Sequence, residues 1–123
     1  MTPKQVMELA VGALIDKKAK DITVLRTTEL TVLADYFIIA SGTSGRQLST
    51  FSDEVSRVLE QAGEPSPRVE GYRGGGWTLV DFGTLILHLF TDEIRGFYDL
   101  ERLWGDAEAI DIEYLLAPES EAV

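Results

Sequence analysis

Two aspartates, Asp35 and Asp81, and the chain's one histidine, His88, are the side chains that could do catalytic work, set near a Gly42-Thr43-Ser44 turn. Paired carboxylates on neighbouring strands beside a Gly-Ser turn would suit a metal-dependent nucleotidyltransferase, in which acids hold magnesium against a triphosphate. The spacing argues against it. Such sites take two acids two residues apart on one strand, whereas Asp81 has Leu79 and Gly83 at those positions and Asp35 has Leu33 and Phe37. Asp81 and His88 are therefore expected to satisfy each other or nearby backbone groups. As a general base His88 has no neighbouring nucleophile, and Ser41, Thr43 and Ser44 have no G-x-S-x-G setting. A hydrogen-bonded buried histidine, or one at an interface, is the simpler reading. The Gly42-Thr43-Ser44-Gly45 turn can offer backbone N–H groups to an anion, yet it lacks a P-loop lysine and GxGxxG spacing, so Ser44 is read as a helix N-cap.

Asp81 and His88 must be carried by residues 77–90, where two apolar, partly β-branched runs flank Gly83-Thr84. This is the pattern of a β-hairpin with little water on either face, and so of the heart of a sheet. A two-residue loop sets Phe82 opposite Leu85, Asp81 opposite Ile86, Leu79 opposite His88 and Trp77 opposite Phe90. That register gathers Trp77, Asp81 and His88 on one face. A three-residue loop slips it by one and sends His88 to the face opposite Asp81. Trp77 follows three glycines at a strand start, where a large side chain serves either as core or as an exposed anchor for a partner; Trp104 is read as core.

The other elements follow from periodicity and punctuation. Thr2-Pro3-Lys4-Gln5 opens a helix that runs to about Lys18, with Val6, Leu9, Ala10, Ala13 and Leu14 as its core stripe. A short strand over 22–26 leads through Thr27-Thr28-Glu29 and a turn or strand edge at 30–33 to residues 35–41, whose aromatic and β-branched content predicts a central strand. A second helix covers 45–62 on Leu48, Phe51, Val55, Val58 and Leu59, and stops at Gly63. A short strand over 68–71 and a mobile glycine-rich connection over 72–76 return the chain to the hairpin. Beyond it, Thr91-Asp92-Glu93 starts a helix over 94–104 that lays Phe97, Leu100, Leu103 and Trp104 on the sheet and turns Tyr98, Glu101 and Arg102 outward. Residues 110–116 form an edge strand or lie on the surface. Residues 117–123 are expected to be a disordered acidic tail behind a single domain over 1–116.

A chain of 123 residues is long enough to bury most of its unfolded-state surface in one core. It has no cysteine, which excludes disulfide frameworks, thiolate zinc sites and cysteine nucleophiles. The start reads as a helix opening rather than a signal peptide, and no apolar run approaches the roughly 20 residues of a membrane span, so a cytoplasmic location without membrane contact is expected. The net charge of -10 disfavours free nucleic acid as a partner, because phosphate recognition rests on Lys and Arg. From Asp92 onward ten Asp and Glu face only Arg95 and Arg102, a net of -8, which is either a solvated face or a surface for a basic protein.

The ordered motifs Asp35-Tyr36-Phe37-Ile38-Ile39-Ala40-Ser41-Gly42-Thr43-Ser44, Arg46-Gln47, Asp53-Glu54-Val55, Glu70-Gly71, Trp77 with Asp81 and Gly83, His88, Arg95, Phe97-Tyr98, Leu100-Glu101 and Leu103-Trp104 together resemble the ribosomal silencing factor family, also called Iojap. The resemblance covers residues 6–107 and departs from the usual pattern at Thr84, where an acid commonly follows the glycine, and in the Gly74-Gly75-Gly76 run. It implies a single α/β domain, a mixed β-sheet flanked by helices, nucleotidyltransferase-like in fold but without catalytic acids. It further implies a protein that is not an enzyme and needs no cofactor or metal. Such a protein would bind the large ribosomal subunit through large-subunit ribosomal protein fourteen and block joining of the small subunit, repressing translation. Glu70, Trp77, Asp81, His88, Tyr98 and Glu101 are the partner-binding residues expected on this resemblance. A homodimer off the ribosome is compatible with it. The competing classes are a nucleotide-binding enzyme of nucleotidyltransferase type and a plain homodimeric adaptor.

Overall fold

The computed structural model describes residues 1–71 and 76–116. Its elements in chain order are α1 (Pro3–Asp16), β1 (Lys20–Arg26), β2 (Tyr36–Gly42), α2 (Gly45–Gln61), β3 (Arg68–Gly71), β4 (Trp77–Asp81), β5 (Leu85–Thr91), α3 (Asp92–Tyr98), α4 (Leu100–Leu103), β6 (Glu108–Ile110) and α5 (Glu113–Leu116). The expected tail, 117–123, and all of the glycine-rich connection except Gly76 lie outside the described residues.

All seven residues of β2 are buried, as its sequence requires of a central strand. β2 pairs antiparallel with β1 and parallel with β5, from Tyr36 opposite Leu85 to Gly42 opposite Thr91. The parallel pairing needs a long crossover, which α2 and the β3–β4 excursion supply. The six strands lie in the order β3-β4-β5-β2-β1-β6, with one parallel pair and the rest antiparallel. This is the mixed sheet flanked by helices that the resemblance implies.

Both long helices cover the same face. Val6, Met7, Ala10, Val11 and Leu14 of α1, with Leu48, Phe51, Val55 and Leu59 of α2, close on Tyr36, Ile38, Ala40, Val80, Leu85, Leu87 and Leu89. Each such fully buried Leu or Phe contributes about 1.5–3 kcal/mol relative to exposure. α1 begins with the predicted reciprocal cap: Thr2 Oγ1 accepts from the Gln5 N–H at 3.2 Å, and Gln5 Oε1 accepts from the Thr2 N–H at 2.9 Å. It ends at Asp16, earlier than expected, because Lys18 turns left-handed with φ 65° and the Ala19 N–H donates to the Leu14 carbonyl.

The opposite face carries a smaller core of Leu25, Phe37, Ile39, Ile86, Phe90, Ala34 and Leu100. The segment above it is not the single helix expected over 94–104. Asp99 takes a left-handed conformation, φ 47° and ψ 57°, which ends α3 and starts α4. Aspartate tolerates this region better than most residues, and the break lets the chain cross the sheet and return as β6 against β1. The apolar stripe is split as a result: Leu100 is buried and Trp104 packs edge-on to Phe37 at 4.9 Å, while Phe97 (80% exposed) and Leu103 (74%) point to solvent. Residues 110–116 resolve into the end of edge strand β6 and the short α5, whose Tyr114 hydroxyl donates to Glu8 on α1 at 2.8 Å.

Candidate functional site

The β4–β5 hairpin takes the two-residue loop. Gly83 adopts φ 87°, its N–H donates to Asp81 Oδ1 at 2.8 Å, and the Phe82 N–H donates to the Leu85 carbonyl at 2.9 Å. Trp77 lies opposite Phe90, Leu79 opposite His88 and Asp81 opposite Ile86. Trp77, Asp81 and His88 therefore share one face, the face that α1 and α2 leave free.

On that face the rings form a continuous row. Trp77 stacks on Phe90 at 5.2 Å and meets Tyr98 at 4.7 Å; His88 lies 6.2 Å from Trp77 and edge-on to Phe37 at 5.1 Å; Phe37 in turn meets Trp104. Offset and edge contacts of this kind favour a fixed arrangement beyond the area they bury. Tyr98 remains 48% exposed and Trp77 is half-buried, so the row opens to solvent at the Trp77–Tyr98 end.

His88 departs from expectation. It is only 6% exposed, and neither ring nitrogen has a hydrogen-bond partner among the described residues; the same holds for Trp77 Nε1. It shares a face with Asp81 without bonding to it. Desolvation lowers its pKa to about 4, so the imidazole is neutral at pH 7. Asp81 instead caps the hairpin loop and lies 3.8 Å from Arg68 on β3. Glu70, exposed on β3, sits opposite Leu79 and thus at the edge of the same face. Two further residues differ from the outward placement expected of them. Tyr98 is turned onto Trp77, and the Glu101 carboxylate is turned onto the Arg95 guanidinium at 3.1 Å. Of the predicted residues, Trp77 and Tyr98 meet at the open end, Glu70 lies on the same face one strand over, and Asp81 stands at the far end of β4 beside the hairpin loop, with His88 beneath the row and Glu101 held apart on α4.

Among the described residues no three His, Asp or Glu converge as a metal site. At the glycine turn the N–H and hydroxyl of Thr43 both donate to Gln47 Oε1, at 2.6 and 3.0 Å, while Ser44 Oγ accepts from the Gln47 N–H as the predicted cap. Gly42 is there because a Cβ would lie 2.9 Å from Gln47 Oε1 and 3.0 Å from Phe51, which is close helix packing rather than room for a phosphate. The adjoining cavity, about 430 Å³, has Asp92 and Glu93 in its wall, acids that oppose a polyphosphate.

Sequence reasoning missed the Arg95 side-chain network and the exposure of Phe97 and Leu103. A lone Arg in an acidic helix was a signal for the first; the helical spacing of Phe97, Leu100, Leu103 and Trp104 gave no signal for the second.

One sheet face sealed by two long helices and the other carrying a half-open aromatic row define a two-layer, single-domain α/β protein. The family model for "Ribosomal silencing factor during starvation" matches residues 1–122, and the chain belongs to the ribosomal silencing factor family. It is 34% identical over 117 residues to a ribosomal silencing factor of Halalkalibacterium halodurans, covering 95% of this chain and 100% of that one. A crystal structure of a Chromobacterium violaceum protein superposes with a TM-score of 0.81 at 39% identity, covering 85% of this chain and 88% of that one. A mouse protein named for mitochondrial assembly of the ribosomal large subunit is 34% identical over 101 residues, which is 80% of this chain and 44% of that longer protein.

Proposed function

We propose that this protein docks on the large ribosomal subunit through large-subunit ribosomal protein fourteen and blocks joining of the small subunit by occupying the contact surface. The observation that carries the reading is the open end of the aromatic row: Trp77 and Tyr98 offer ring surface to a partner, while Glu70 on β3 and Asp81 at the far end of the hairpin add carboxylates to the same face. Interfaces concentrate their energy in such aromatic anchors, and carboxylates on that face favour a basic protein over bare RNA. The mouse relative, named for assembly of the mitochondrial ribosomal large subunit, supports a large-subunit partner. His88 would act beneath the surface by fixing the rings. No helix among the described residues is long and apolar enough to cross a membrane, which is compatible with action on ribosomes in the cytoplasm. Phe97 and Leu103 favour one further arrangement, a homodimer of the free protein that covers them.

The experiment is sedimentation of purified protein with separated subunits. Co-migration with the large subunit should saturate near one protein per subunit, without nucleotide, and subunit joining should fail in proportion. Trp77→Ala and Tyr98→Ala should each weaken binding by about 30-fold or more. Consumption of added triphosphate, or inactivation of many subunits by one protein, would favour an enzyme. Wild-type binding by both variants would move the docking face elsewhere.

A further inference from the structure

The Arg95 side chain, 12% exposed, spends all five guanidinium N–H donors inside the protein. Nε and Nη2 donate to the two Glu101 carboxylate oxygens, each at 3.1 Å; Nη2 also donates to Thr23 Oγ1 at 3.1 Å; Nη1 donates to Ser41 Oγ at 2.8 Å and to the Asp21 carbonyl. The acceptors lie on α4, β1 and β2. The Asp21 carbonyl is available because β1 is irregular between Lys20 and Thr23, where Asp21 takes φ 50°. Lys20 adds a second tie, to Asp92 at the start of α3, at 2.9 Å.

Arg95 and Glu101 stand on either side of the left-handed elbow at Asp99. Helices of seven and four residues, the first with a glycine at position 96, do not hold their shape alone. Among the described residues the side-chain hydrogen bonds that span the elbow are those between Arg95 and Glu101. A bidentate Arg–carboxylate pair fixes orientation as well as distance. Tyr98, the residue just before the elbow, is the ring laid against Trp77.

We infer that Arg95 is a positioning residue: anchored to β1 and β2, it grips Glu101 and so presets the elbow that places Tyr98 against Trp77 before a partner arrives. Glu101 then acts through Arg95 rather than by touching the partner. The inference rests on the docking reading above, and its value to binding is preorganisation, since a ring already in place costs no ordering at association.

The test uses the full chain and two readouts. The first needs no ribosome: the ring-current displacement of the Tyr98 ring protons by Trp77, read by NMR. The second is the rate and affinity of binding to purified large subunits. Arg95→Lys keeps the charge but has three donors where five are used, and Glu101→Gln keeps the shape and removes the ion pair at a site close to solvent. Both variants should lose much of the Tyr98 displacement and bind about tenfold more weakly, with the double variant no worse than the weaker single one. Should Arg95→Lys fail to fold, Glu101→Gln decides alone. An undiminished Tyr98 displacement in the folded variants overturns the inference. Loss of the displacement with wild-type binding overturns instead the docking face on which it rests.

Discussion

His88 makes folding proton-linked. Its pKa is held at about 4 by desolvation against 6.5 for an unhindered imidazole. In the interval between those values the unfolded chain takes up a proton that the native chain does not. Stability from this residue is therefore complete above about pH 6.5 and drains away as the pH falls through about 4, a total of about 3 kcal/mol. His88→Phe, set among Phe37, Trp77 and Phe90, should flatten this dependence in urea unfolding measured from pH 7 to pH 4.5; an equally steep decline in the variant would assign the linkage to carboxylates. The shared face of Trp77, Asp81 and His88 was legible in the sequence because loop length alone sets hairpin register. The lack of a partner for His88 among the described residues was not, since the rings around it come from β2, β4 and β5 and their contacts follow from tertiary packing. Glu101 was illegible for the same reason: its partner is six residues away across a bend that no periodicity announced.

Among the elements, the residue before β4 packs tightly on the end of β5 and the first turn of α3. Gly76 has φ 74°, and a Cβ there would lie 2.5 Å from Ile94 Cγ1 and 2.8 Å from Thr91 Oγ1. Gly76→Ala should destabilise by about 1–3 kcal/mol through left-handed strain and overpacking together. Gly12→Ala is the control: it sits in α1 with nothing within 4 Å of the added carbon, and should stabilise by about 0.5–1 kcal/mol. Thermal melting of the two variants reads both signs. The caps of α1 and α2, the central strand and the hairpin were legible because each depends on residues close in sequence. The break at Asp99 was hidden because Phe97, Leu100, Leu103 and Trp104 fit helical spacing, and only the need to deliver β6 to β1 decides against continuity.

At the scale of the whole molecule, the charge gathered after Asp92 gives the surface a direction. Asp106 and Glu108 are exposed near the β6 edge, Glu108 loosely opposite Arg26 at 3.7 Å. Asp106→Asn with Glu108→Gln should slow association with large subunits by about two- to fivefold at low salt, flatten its salt dependence and leave dissociation nearly unchanged; an unchanged association rate would make this end a solvated face. The opposite demands on the two sheet faces meet in β2. Tyr36, Ile38 and Ala40 belong to the core beneath α1 and α2, while Phe37 and Ile39 belong to the core on the aromatic side. Because neighbours along a strand point in opposite directions, adding or deleting one residue there would exchange the two sets at a stroke, burying the wrong rings under the helices and stripping the other face. Substitutions can accumulate on either side independently, but β2 cannot change length. Descendants of this chain can lengthen or shorten at the exposed turn carrying Leu30, Val32 and Leu33, and must keep the count of residues through β2.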